Sequence, residues 1–144
     1  MYRFYGWQTA DVRDGNGFTP CELYDLLLGC WRADTCAPRM RERWSAQNPT
    51  LGQCSITAFL VQDLFGGQVF GVPLKDGGFH CFNEVEGRRF DLTSEQFAGE
   101  PLDYESAVEQ RREDHFAKEE KLARYHLLRE RLLAAYDARL QTGK

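Results

Sequence analysis

Hydrophobic and polar positions alternate along the chain in a way that predicts both helices and strands. The first helix is predicted to begin after Thr19, because Thr19-Pro20-Cys21-Glu22 places a capping hydroxyl, a first-turn proline and a glutamate at the spacing of a capping box. Apolar residues at helical spacing follow, and they predict a helix that runs to about Trp31. The polar segment 32–51 contains two prolines and predicts a loop.

The second predicted helix covers residues 52–65 and is apolar on almost every side, as expected for a helix in the middle of a domain. The pair Gly66-Gly67 is a typical helix end. Cys54 lies in the first turn, where unpaired backbone N–H groups and the helix dipole favour an anion. The pKa of its thiol is therefore expected to be lowered, as a nucleophilic thiolate requires.

Three strands are predicted after this helix: Gln68 to Val72, Phe79 to Val85, and Arg88 to Leu92, the last two joined by Glu86-Gly87. A two-residue turn at Glu86-Gly87 sets Phe82 opposite Asp91. His80 shares a face with Phe82, so Asp91 lies within side-chain reach of His80. A register shift of one residue would move Asp91 to the other face.

The segment from about 104 to 140 is predicted to be helical and highly charged. One apolar stripe runs along it, consisting of Leu122, Tyr125, Leu128, Leu132, Tyr136 and Leu140. The simplest interpretation is a helix packed along the domain edge. A homodimer seam and a cover over the thiol are the alternatives. His115 and His126 fall in charged surroundings and are predicted to be solvated surface residues.

Composition narrows the class of protein. The chain has 144 residues, 42% of them hydrophobic and 28% charged, with a net charge of -4, which fits a single domain over residues 1–144 with a core at about 19–100. The acidic balance argues against a nucleic-acid partner. No signal peptide or membrane span is recognisable, so we expect a cytoplasmic protein without a membrane partner.

Five cysteines occur at spacings that match no zinc motif, and neither a metal nor another cofactor is expected. Most of these cysteines are expected to be buried and inert.

The chemistry-bearing residues also carry a family resemblance. Gly52-Gln53-Cys54 at a helix start, a strand histidine followed by Asn83, and Asp91-Leu92-Thr93 look like the transglutaminase core, a relative of the papain-like fold. A longer pattern resembles the YunG-like family of small bacterial proteins. That pattern comprises Trp31, Asp34-Thr35, Trp44, Asn48-Pro49-Thr50, Gly52-Gln53-Cys54, Thr57-Ala58, Val61-Gln62-Asp63, Gly66-Gly67, His80, Asn83, Gly87, Asp91-Leu92-Thr93 and Gln96-Phe97.

The resemblance implies an α+β fold in which the cysteine helix packs on a small antiparallel sheet, with a C-terminal helix added. Ser55, Cys81 and Leu92 depart from the transglutaminase pattern, so calcium dependence and protein cross-linking are not carried over.

The chemistry predicted from these residues is acyl transfer on a peptide or another amide. Cys54 is the predicted nucleophile, His80 its base, and Asp91 the residue that orients the histidine. Gln53 is a candidate oxyanion donor together with the Cys54 N–H, and Asn83 and Trp44 are candidate supporting residues. The competing hypothesis is a peptide- or protein-binding module without turnover.

Overall fold

The computed structural model describes residues 1–142 and has an α+β fold with a four-stranded antiparallel sheet and a long C-terminal helix. The helices are α1 (Pro20–Leu27), α2 (Cys54–Phe65), α3 (Arg112–Phe116) and α4 (Glu119–Thr142). The strands are β1 (Gln68–Pro73), β2 (Phe79–Val85), β3 (Arg88–Phe90) and β4 (Val108–Glu109). Short 3-10 turns cover Ala33–Thr35, Pro38–Arg43, Ser94–Phe97 and Tyr104–Ser106.

The capping box predicted at the start of α1 is confirmed. The Thr19 hydroxyl accepts from the Glu22 N–H, and the Glu22 carboxylate accepts from the Thr19 N–H. The helix ends at Leu27, four residues before the predicted end. Trp31 instead turns into the core, where it is 2% exposed and its indole N–H donates to the Thr57 hydroxyl at 2.9 Å. Burial of this large side chain against α2 thus replaces the last helical turn.

The hairpin register predicted from the sequence is confirmed. Asn83 pairs with Phe90 and Val85 with Arg88. Both turn residues have positive φ, 50° at Glu86 and 78° at Gly87, as a two-residue type I′ turn requires. Strand β3 stops at Phe90, two residues earlier than predicted, because Asp91 forms a bridge with Tyr5 instead.

The strand order is β3-β2-β1-β4, and α2 packs against β2 and α4. All residues from Ser55 to Val61 are buried, as the unbroken apolar pattern predicted. The hydrophobic core extends beyond residues 19–100 on both sides. It includes Phe4, Ala10, Val12 and Phe18 before that range and Tyr125, Leu128, Leu132 and Tyr136 after it.

The C-terminal region differs from the single helix predicted. Its first part contains a 3-10 turn, β4 and α3, because Gln110 donates its backbone N–H to the Val69 carbonyl at 2.8 Å and draws this segment to the sheet edge. The apolar stripe of α4 is largely buried within the same chain. The buried side chains of the stripe favour the helix packed along the domain edge, Leu140 is exposed at its end, and the homodimer seam stays a prediction. Among the helices of residues 1–142, none combines the length and apolar character needed to span a bilayer.

Candidate active site

Cys54 is the first residue of α2 and lies half-buried in a cleft of about 920 Å³. The chain enters the helix through Gly52, whose φ is +71°. A Cβ at Gly52 would come within 2.5 Å of the Cys36 Sγ and 2.9 Å of the Ala37 nitrogen, so only glycine fits this approach. No side chain caps α2, because Gln53 makes no capping hydrogen bond. The first N–H groups of the helix consequently remain available at the position of the thiol.

His80 and Asp91 form a buried hydrogen-bonded pair. The His80 Nε2 lies 2.6 Å from the Asp91 Oδ2, and each side chain is 1% exposed. The His80 Nδ1 makes no aligned hydrogen bond with any other described residue. The histidine packs its edge against Phe97, with ring centroids 4.7 Å apart. One ring nitrogen is thus held by a carboxylate while the other is left for a partner in the cleft, which His80 lines together with Cys54.

The Asp91 carboxylate is fixed by groups other than the histidine. The Tyr104 hydroxyl donates to the same Oδ2 at 2.7 Å, and the Thr93 N–H donates to Oδ1 at 3.2 Å. Asp91 therefore has two roles: one oxygen holds the turn that precedes Ser94–Phe97, and the other holds His80. Nothing in the sequence indicated Tyr104, because it lay in a segment predicted to be helical.

The electrostatics favour a thiolate at Cys54 and an imidazolium at His80. The neighbouring Cys81 thiol has the largest effect on the pKa of Cys54 and lowers it. Burial opposes this effect, and the proximity and charge of His80 lower the pKa further, to well below its usual value. For His80 burial lowers the pKa, but the charge and hydrogen bond of Asp91, aided by Cys54, outweigh it and raise the pKa to about 10.

The other four cysteines behave oppositely. Burial raises the pKa of Cys21, Cys30 and Cys36. The pKa of Cys81 is raised chiefly by the neighbouring Cys54, with burial adding to the effect. Cys81 is therefore the cysteine that stays a thiol beside Cys54. The sequence contained a signal for it, because Cys81 follows His80 directly on β2.

The three candidate supporting residues do not line the cleft. Gln53 is fully buried and its side-chain N–H donates to the Arg32 carbonyl at 3.0 Å, so this contact gives no support to the side chain as an oxyanion donor. Asn83 donates to the Ala58 carbonyl at 2.8 Å and ties β2 to α2. The Trp44 indole donates to the Pro49 carbonyl at 2.9 Å, within its own loop. Their polar groups serve the scaffold, and the predicted oxyanion pair is supported only at the Cys54 N–H.

His115 is not the solvated residue that its charged neighbourhood suggested. It is half-buried, lines the cleft and packs against Phe59 at a centroid distance of 5.1 Å. Burial, followed by the charge of Lys121, lowers its pKa to about 4. His126 is exposed, as predicted. The reason for the error is tertiary: α3 turns His115 inward, although its sequence neighbours are solvated.

Within residues 1–142, no three or more His, Cys, Asp and Glu side chains are grouped so that they could hold a metal ion. The cleft instead brings Cys54 together with His80, whose other ring nitrogen is hydrogen-bonded to Asp91, and this arrangement can support nucleophilic and acid–base chemistry.

Comparison with known proteins places this chain in a family. Residues 19–137 match the family described as YunG protein. The chain belongs to the YunG family. It is also 38% identical over 71 residues to the protein called "Uncharacterized protein YunG" of Bacillus subtilis (strain 168), a match that covers 49% of this chain and 60% of that relative. The chain thus spans about three fifths of the length of this YunG relative. No solved structure matches.

Proposed function

We propose that this YunG-family chain is a cysteine-dependent acyl-transfer enzyme with a papain-like or transglutaminase-like site. Cys54 is the nucleophile, His80 the general acid and base, and Asp91 the residue that orients the imidazole. The observation that carries the proposal is the buried His80–Asp91 hydrogen bond of 2.6 Å in the cleft into which Cys54 opens from an uncapped helix start. Such an arrangement stabilises imidazolium and thiolate together.

The reaction begins when the Cys54 thiolate attacks the carbonyl carbon of an amide. Negative charge develops on the carbonyl oxygen, and the Cys54 N–H at the start of α2 is the donor best situated to stabilise it. His80 then gives its proton to the leaving amine as the C–N bond breaks, and a thioester on Cys54 remains.

In the second half-reaction an acceptor attacks the thioester, and His80 takes the acceptor's proton. The C–S bond breaks and the thiolate is restored. Water as acceptor makes the enzyme an amidase or peptidase, and an amine makes it a transglutaminase. Both proceed through the same thioester, so the same test addresses both.

The first test is the reactivity of the five thiols toward iodoacetamide at about pH 6 to 7, where an ordinary thiol with a pKa of about 8.5 is mostly protonated. Cys54 should be alkylated fastest. Cys21 is the matched internal control, because it is also half-buried and its pKa is shifted upward. Peptide mass spectrometry after short exposure gives each rate, and equal rates for Cys54 and Cys21 would count against a nucleophile.

The second test concerns acylation. An activated ester such as a p-nitrophenyl ester should acylate Cys54 of the wild-type protein, seen as a thioester on the Cys54 peptide with release of the phenolate, and Cys54→Ala should form no such thioester. Asp91→Asn should react more slowly near neutral pH while its helical content is retained. A reactive Cys54 that is never acylated by amides or esters would instead favour the binding module, in which the cleft recognises a peptide without turnover.

A further inference from the structure

Residues of α3, of the α3–α4 connection and of the beginning of α4 line the cleft together with His80, and this part of the lining carries an excess of positive charge. Two carboxylates line the cleft, and both are neutralised: Glu120 pairs with Arg124, and Asp76 lies 3.6 Å from Arg39. Two lysines, Lys118 and Lys121, also line the cleft. Within residues 1–142 neither lysine makes a salt bridge to a carboxylate.

Lys121 is held in a fixed position by a hydrogen-bonded chain. Its Nζ lies 3.0 Å from the His115 Nδ1, and the His115 Nε2 lies 2.9 Å from the Gln110 Oε1. The Gln110 side-chain N–H donates in turn to the Val108 carbonyl at 3.0 Å.

These contacts determine the tautomer of His115. The pKa of His115, lowered to about 4, keeps the ring neutral near pH 7. Its Nε2–H therefore donates to Gln110, and its Nδ1 accepts from the lysine. The ammonium uses one N–H in this chain, and two remain for a ligand.

Unlike Lys118, which is exposed, Lys121 is half-buried. Burial has the largest effect on its pKa and lowers it, the charge of Lys118 lowers it further, and the neighbouring Cys81 and Cys54 partly compensate. A cation withdrawn from water without a carboxylate partner is unfavourable until an anion binds to it. The hydrogen-bonded groups from Gln110 to Lys121 thus hold in place a positive charge that no carboxylate of residues 1–142 neutralises.

We propose that Lys121 binds a carboxylate of the substrate, so that the amide attacked by Cys54 belongs to an acidic compound or peptide. This inference rests on the proposed acyl-transfer function and adds the substrate class. Lys121 acts as a specificity residue that contacts the substrate, and His115 and Gln110 act as positioning residues for its ammonium group.

The experiment compares matched reagents that differ only in a carboxylate. Alkylation rates of Cys54 are measured with iodoacetate and iodoacetamide, and with N-iodoacetylglycine and N-iodoacetylglycinamide. Each rate is divided by that of a free cysteine peptide, which removes intrinsic differences between reagents. In the wild-type protein the normalised ratio of acid to amide should exceed one for at least one pair. Lys121→Met should lower that ratio roughly tenfold, the usual size of one charge-assisted hydrogen bond in a sheltered site.

Two variants serve as controls. Lys118→Met removes the same charge from the same cleft and should leave the ratio nearly unchanged, because the exposed Lys118 ammonium is already solvated. Lys121→Arg keeps the charge and should retain most of the preference. If Lys118→Met and Lys121→Met lower the acid-to-amide ratio equally, the overall positive charge of the cleft attracts the acid reagents. That result would refute a specific contact at Lys121.

A measurement on the wild-type protein keeps the proposal testable without any variant. N-acetylglycine should protect Cys54 from iodoacetamide more strongly than N-acetylglycinamide does, and equal protection by the two would contradict the proposal. Two results distinguish the proposals. If iodoacetamide does not alkylate Cys54 faster than Cys21, the acyl-transfer function is refuted. If it does, but the acid-to-amide ratio is the same in wild type and Lys121→Met, only the carboxylate site is refuted.

Discussion

Removing the Cys54 thiol should make protein stability depend on pH in a way that reports the charge on His80. In the folded protein the raised pKa of His80, about 10, and the lowered pKa of Cys54 place an imidazolium beside a thiolate near neutral pH. In the unfolded chain the imidazole loses its proton above about pH 6.5, whereas the thiol keeps its proton to about pH 8.5. Between roughly pH 7 and 8 the two groups together therefore bind one proton in either state, and their contribution to the free energy of unfolding is independent of pH.

The Cys54→Ala variant breaks this balance. The folded protein still protonates His80, because the charge of Asp91 is the strongest of the influences that raise its pKa. The unfolded variant binds neither proton, because the substitution has removed the thiol and the imidazole is deprotonated above about pH 6.5. A histidine with a raised pKa contributes stability that is complete below the unfolded pKa and is lost as the pH rises toward the folded pKa. One proton corresponds to about 1.4 kcal/mol per pH unit. From about pH 7 to 8 the variant should thus lose about 1.4 kcal/mol of stability relative to wild type.

Urea denaturation of both proteins at several pH values in this range measures the difference. Subtracting the wild-type curve cancels groups that titrate in both proteins, including His115. In Cys54→Ala/Asp91→Asn the slope should disappear, because the charge that holds the proton on His80 is gone. A stability difference that stays constant with pH in Cys54→Ala would mean that folded His80 is neutral, and would refute the ion-pair argument.

Three other predictions follow from the same contacts. Cys81→Ala should raise the pKa of Cys54, seen as an upward shift in the pH midpoint of its alkylation, because Cys54 loses the neighbour with the largest effect on its pKa. An unmoved midpoint would remove Cys81 from the site. Gly52→Ala should be more destabilising than Gly87→Ala and should slow Cys54 alkylation. Both glycines have positive φ, but only at Gly52 would an added Cβ collide with Cys36. The melting temperatures and the alkylation rates of the two variants measure the difference. Leu128→Ala, at a fully buried position of α4, should cost about 2 to 5 kcal/mol in urea denaturation, and a cost below about 1 kcal/mol would mean that α4 is not part of the core.

Local signals in the sequence determined a large part of this fold. The capping box at Thr19, the all-apolar pattern of α2 and the turn at Glu86-Gly87 each fix short-range geometry, and each was recognisable because neighbouring residues decide it. The hairpin register follows from that turn, and alternation along β2 then brings Asp91 within reach of His80. Two of the candidate site residues could therefore be paired without coordinates.

Tertiary packing decided what no local pattern encodes. Trp31 ends α1 early because its burial against α2 is worth more than another helical turn, and the carbonyl of Arg32 takes the amide of Gln53 away from the cleft. Tyr104 contacts Asp91 across thirteen residues of irregular chain. Lys121 reaches His115 only because α3 and α4 pack together. These contacts join segments that are separate in the sequence. Their energy comes from burial and charge in the folded protein, and neither the hydrophobic periodicity nor the turn residues of one segment can predict it.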